Sequence, residues 1–188
     1  MTEALLGTRI AERDVPVVVG SAGLLEGGRQ IPPQVTAVLA KRGIALPEQL
    51  SRQLRRCDLL HADLVIGMER AHVRHSVILE PEAWPRTFTL KELVRRGEKI
   101  GPRLPAESPG AWLARVHEGR ERRDLLGESP FDDVADPYGG PSSAYEAAAS
   151  EIEELVDRVE YLLWPLPRGG ESPAQSADTP RVDRWPPQ

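Results

Sequence analysis

The sequence predicts an α/β fold: a doubly wound parallel sheet with helices on both faces. Short, apolar, β-branched runs stand at Val15–Val19 (VPVVV) and Leu64–Met68 (LVIGM), and an alternating run stands at Arg86–Leu90 (RTFTL). Each is followed by a stretch whose apolar residues recur at helical spacing. Parallel strands need crossover connections, and crossover helices bury both faces of the sheet, which is why its strands read as continuous apolar runs.

In chain order, Thr2–Ala11 reads as a helix, with Thr2 placed to cap it and Leu6 and Ile10 on one face. VPVVV reads as a buried strand ended by Gly20-Ser21-Ala22-Gly23. Pro33–Arg42 is a helix with Val35, Val38 and Leu39 inward, stopped by Gly43. Pro47–Arg56 reads as a second short helix and LVIGM as a second buried strand. Glu69–Leu79 follows as a helix with Ala71, Val73, Val77 and Ile78 as its apolar members. RTFTL is the next strand. Lys91–Arg96 and Ala111–Leu126 are helical, the latter amphipathic and Arg-rich. The clearest helix is the last. Tyr145, Ala148, Ile152, Leu155, Val156, Val159, Leu162 and Leu163 share one face, and Glu151, Glu153, Glu154, Asp157 and Arg158 face away.

Residues 1–164 thus form one α/β domain. From 165 to 188 the chain reads PLPRGGESPAQSADTPRVDRWPPQ, a Pro/Gly/Ser-rich tail with little to bury, expected to be disordered. A net charge of −5 makes the chain a poor partner for nucleic acid. No apolar run approaches the roughly eighteen residues of a membrane span, and no secretory leader is visible. The one cysteine, Cys57, allows no internal disulfide; a cytoplasmic location is expected.

Six stretches line up in order: Met1–Leu6 (MTEALL), Val19–Gly23 (VGSAG), Gly43-Ile44 followed by Ser51–Leu54 (SRQL), Ala62–Met68 (ADLVIGM), Thr87–Leu93 (TFTLKEL) and Asp133–Gly140 (DVADPYGG). Together they resemble the low-molecular-weight protein-tyrosine phosphatases, bacterial type, over about residues 1–163. The resemblance implies a phosphotyrosine phosphatase I-like sheet of strand order 2-1-3-4. It also implies hydrolysis of protein phosphotyrosine through a cysteinyl-phosphate, without cofactor or metal, with phosphotyrosine-containing proteins as partners.

That chemistry needs a Cys-x5-Arg loop whose backbone N–H groups cradle the phosphate at a helix N-terminus. The thiolate attacks phosphorus and the arginine holds its oxygens. An aspartic acid then protonates the leaving atom. By resemblance Asp136 is that general acid, Tyr138 the aromatic wall for the substrate ring, and Ser21 a brace for the phosphate loop. From the residues alone, Asp136-Pro137 also reads as a plain turn before Gly139-Gly140, and Ser21 as a cap after a strand. A histidine that the bacterial family often carries near Gln49 for the same bracing is absent.

The nucleophilic loop is absent from these residues. Six positions after Cys57 stands Asp63, not arginine, and no glycines surround it; Cys57 reads as a partly buried small residue at a helix end. In the family, the loop and central strand 1 lie just ahead of the MTEALL segment. The expectation is therefore a chain lacking strand 1, inactive as written, from a gene that encodes more. The alternative is a degenerate, non-catalytic member that binds proteins through its tail and its Arg-rich 101–132 segment. There Arg115, Arg120, Arg122 and Arg123 either attract an acidic partner or form a solvated face. His72 and His75 sit three apart on a helix but lack a third ligand, so no metal is expected. Arsenate reduction would need further cysteines.

Overall fold

The computed structural model describes residues 1–13, 15–47, 50–127 and 129–165. Seven helices are described: α1 (Thr2–Arg13), α2 (Pro33–Ala40), α3 (Arg56–His61), α4 (Arg70–Leu79), α5 (Leu90–Ile100), α6 (Pro109–His117) and α7 (Ser142–Leu163). Two strands, β1 (Val65–Gly67) and β2 (Thr87–Thr89), form a small parallel sheet, with Val65 opposite Thr87, Ile66 opposite Phe88 and Gly67 opposite Thr89. Short 3-10 turns cover Pro81–Arg86 and Arg122–Leu125. The architecture is α/β, with α4 as the crossover between the two strands.

The core gathers on α7, whose buried Tyr145, Ala149, Ile152, Val156 and Val159 pack with residues of α1, α2 and α5. Phe88 of β2, Leu93 and Val94 of α5, and Trp112 and Val116 of α6 complete it. Gly97 is required where α5, α6 and α7 converge. A Cβ there would lie 2.8 Å from Leu162 and 3.0 Å from the Trp112 ring. Ion pairs lace the polar flank of α7 to the helices beside it. Arg9 of α1 meets Asp157, Arg13 meets Glu160, and Arg42, just after α2, reaches both Glu146 and Glu153.

Four expectations need correction. VPVVV is not a strand: Val17 is 38% and Val18 54% exposed, and no strand among the described residues pairs with the run. β-branched composition favours an extended chain, but a ladder also needs a neighbour to take its N–H and C=O groups. Residues 50–55 form no helix. They run extended along 23–30, with Gly23 N–H donating to Arg52 O (2.9 Å), Gly28 N–H to Ser51 O (2.7 Å), and Ser51 N–H to Arg29 O (2.8 Å). Gly27 permits this approach, since a Cβ would fall 2.7 Å from Ser51 O. The 111–126 helix is broken: α6 ends at His117, and Gly119 (φ 74°) turns the chain. Ile78, named among the apolar members of the Glu69–Leu79 helix, is left 76% exposed on α4. Glu48, Gln49 and the tail from 166 to 188 lie outside the described residues. Among the described residues, no helix is long and apolar enough to cross a membrane.

Candidate active site

In an open parallel sheet, ligands bind beyond the carboxyl ends of the strands. Here β1 ends at Gly67, where a Cβ would come within 2.9 Å of His72 Cβ and 3.2 Å of the Glu69 carbonyl, so the strand passes straight into α4. Met68, at that end, joins two other elements. Its sulfur accepts a hydrogen bond from Thr2 Oγ1 at 3.3 Å, which sets the first turn of α1 beside the strand end. Its carbonyl accepts the Val134 amide at 2.8 Å, which fastens the loop ahead of α7 to the same place.

That loop carries Asp136. Its root is tightly held. The two carboxyl oxygens of Asp133 accept the Arg70 amide (2.7 Å) and the Ser129 amide (2.8 Å), and its carbonyl accepts Lys91 Nζ (2.7 Å). Asp132, buried, accepts Arg70 Nη2 at 2.7 Å and Arg95 Nη2 at 2.8 Å. Burial alone would raise the Asp132 carboxyl; hydrogen bonds and charge from Arg70 and Arg95 hold it below the ordinary carboxylate value. Beyond Val134 the chain emerges into solvent. Asp136 is exposed, and one of its oxygens accepts the Tyr138 amide at 3.0 Å, an Asx turn. Tyr138 is 75% exposed, and Gly139 (φ 76°) turns the chain toward α7.

Asp136 and Tyr138 therefore share one turn. Ser21 reaches the site by another route: its hydroxyl donates to Glu3 in the first turn of α1. The arrangement offers a solvent-facing carboxyl on an anchored loop, beside the positive end of a helix dipole. Such a pair suits an anionic substrate whose leaving atom must take a proton.

The other marked residues lie elsewhere in role. Cys57 is exposed in the first turn of α3, not partly buried, and its carbonyl bonds the His61 ring at 2.7 Å. His72 Nδ1 accepts the Met68 amide at 3.2 Å. Among the described residues, no three His, Cys, Asp or Glu side chains are placed to hold a metal ion. The Arg-rich segment divides: Arg122 and Arg123 are exposed, Arg115 is half-buried and Arg120 is buried. Arg120 is buried between Trp84 (3.8 Å) and Phe88 (4.0 Å), pairs with Glu92 at 2.7 Å, and donates to the Thr87 carbonyl at 2.8 Å. Arg115 pairs with Glu107 and Arg123 with Glu121, while Arg122 donates to the Pro81 carbonyl. Sequence reasoning missed Asp132 and Asp133. The available signal was two successive aspartates just ahead of Asp136, in a stretch too short to be a helix.

Comparison with known proteins gives a consistent picture. The family described as low molecular weight phosphotyrosine protein phosphatase matches residues 1–101. A protein-arginine-phosphatase of Geobacillus stearothermophilus is 29% identical over 144 residues, 76% of this chain and 74% of that protein. The solved YwlE arginine phosphatase from Geobacillus stearothermophilus superposes with a TM-score of 0.59 at 28% identity, over 84% of this chain and 79% of the other. A low molecular weight protein tyrosine phosphatase from T. tengcongensis gives 0.60 at 26% identity, over 84% and 86%.

Proposed function

The chain belongs to the low molecular weight phosphotyrosine protein phosphatase family, and from that premise we propose that it supplies the scaffold and the proton donor of a protein phosphatase. Asp136 protonates the leaving atom of a phosphorylated side chain and then helps water attack the phosphoenzyme. Tyr138 flanks the substrate side chain, and Ser21 steadies the start of α1 through Glu3. The observation that carries this reading is the fastening of the Asp136 loop to the carboxyl end of β1, beside the first turn of α1.

The reaction also needs a thiolate nucleophile and an arginine for the phosphate oxygens, and no Cys-x5-Arg stands in these residues. We propose that the active form carries that loop on a segment ahead of Met1, and that these 188 residues alone give negligible turnover. A cytoplasmic setting fits a chain whose one cysteine is a free thiol. Of the arginines behind the alternative of a non-catalytic binding module, Arg120 is spent inside the fold, while Arg122 and Arg123 stay exposed.

Two substrates are in view. The family points to phosphotyrosine. Phosphoarginine is favoured by the relative at 29% identity, a protein-arginine-phosphatase. Either way Asp136 delivers one proton, to a phenolic oxygen or to a guanidine nitrogen. The test is turnover of p-nitrophenyl phosphate, a phosphotyrosyl peptide and a phosphoarginyl peptide, by the chain alone and by the chain extended with its upstream reading frame. Turnover by the extended protein only is expected, and the peptide arms name the substrate. Vanadate-sensitive hydrolysis by the 188 residues alone, or a stop codon directly upstream, overturns the reading.

A further inference from the structure

We infer that Asp132 and Asp133 are positioning residues for Asp136, holding the root of its loop against β1, α4 and α5 while leaving its tip free. The inference rests on the acid role proposed for Asp136. Helix α4 starts directly after β1, and its own N-cap residue, Glu69, makes no side-chain cap bond. The first amides of a helix need acceptors. Asp133 supplies one from the loop, taking the Arg70 amide at 2.7 Å, while its other oxygen takes the Ser129 amide at 2.8 Å and closes the loop on itself. A carboxylate at that point also meets the positive end of the helix dipole. One residue therefore caps α4 and fixes where the loop leaves the body.

Asp132 adds a second clamp in another direction. Arg70 of α4 and Arg95 of α5 grip its two oxygens, and its side chain is only 8% exposed. Lys91 Nζ holds the Asp133 carbonyl at 2.7 Å and pairs with Glu151 of α7 at 2.7 Å, so the helix that follows the loop shares the same anchor. These bonds converge on residues 132–134. At the tip, from 135 to 140, the hydrogen bonds are local ones, from Tyr138 N–H to Asp136 and from Gly140 N–H to Pro137 O. A fixed root with a free tip places a carboxyl within reach of a bound phosphate and still lets it move between donor and base.

The test is residue-resolved amide hydrogen exchange on the 188-residue chain. Asp133→Ala should speed exchange at Val134, Tyr138 and Gly140 by about tenfold or more, with α7 amides unchanged within about twofold. Arg120→Met, which loosens the core elsewhere, should raise exchange across the chain without singling out the loop. Asp132→Asn serves the same comparison if Asp133→Ala does not fold. Uniform acceleration in the aspartate variants, or an unchanged loop, overturns the inference. Neither readout needs turnover, so failure of the phosphatase reading leaves the result standing. In an active extended protein, Asp132→Asn should lower kcat for phenyl phosphate more than for p-nitrophenyl phosphate, with KM little changed. Equal losses for both substrates count against positioning of the acid.

Discussion

The Val134 amide donates to the Met68 carbonyl at 2.8 Å, joining the acid-bearing loop to the end of a strand far away in sequence. Met68 also accepts Thr2 Oγ1, so one residue aligns the two elements that the proposed acid role brings to one phosphate. Both bonds are internal to the fold, so under the proposed function the site would need little reorganisation for substrate.

Asp136 is exposed, and Asp136→Asn should change stability by no more than about 0.5 kcal/mol. In an active extended protein it should cost roughly 10²–10⁴-fold in kcat for phenyl phosphate, a poor leaving group, and much less for p-nitrophenyl phosphate. Steady-state kinetics with the two substrates checks this.

Asp132→Asn should destabilise the fold by about 1–3 kcal/mol at neutral pH, because the buried grip of Arg70 and Arg95 loses its charge. The folded-state carboxyl lies below its ordinary value, so its contribution is fully present above about pH 4 and is lost as pH falls through the folded value. Urea melts of both proteins from pH 7 downward should show the difference narrowing only in acid.

Arg120→Met should cost about 3–5 kcal/mol, since it leaves the Glu92 carboxylate and the Thr87 carbonyl without their buried donor. Changing Glu92→Leu as well should return part of the loss. Thermal melts of the single and double variants decide it.

His117 sits edge-on to Trp84, its ring centroid 5.4 Å away. Burial, then the charges of Arg120 and Arg96, push its protonation below the ordinary histidine value, and Glu92 opposes only in part. The folded state therefore resists the proton that the unfolded chain accepts. Stability from this residue is fully present above about pH 6.5 and falls as acid carries the pH toward the folded value. An NMR titration of the imidazole should give a midpoint below 6.5, and His117→Phe should flatten the stability profile in that window.

The helices with long apolar stripes were legible, α7 above all, because burial of Ile152, Val156 and Val159 follows from spacing alone. The LVIGM and RTFTL runs became β1 and β2 because each has the other as a partner. VPVVV did not, for want of a ladder among the described residues, and 50–55 was taken from helix to ribbon by bonds to 23–30. Asp136 and Tyr138 were legible as a motif. Asp132 and Asp133 were not, since their partners Arg70, Lys91 and Arg95 lie in elements distant in sequence. Arg120 was misjudged for the same reason: charge marks a residue as exposed unless Trp84, Phe88 and Glu92 are known to surround it.

The sandwich of Arg120 between two aromatic rings has a bearing on how this protein can be trimmed. The stretch from 101 to 132 resembles an appendage in length and composition, yet it works as a plug. Excising it would wet the faces of Trp84 and Phe88 and strand Glu92 beside them. A minimal version of this molecule must keep the segment or refill the hole it stoppers.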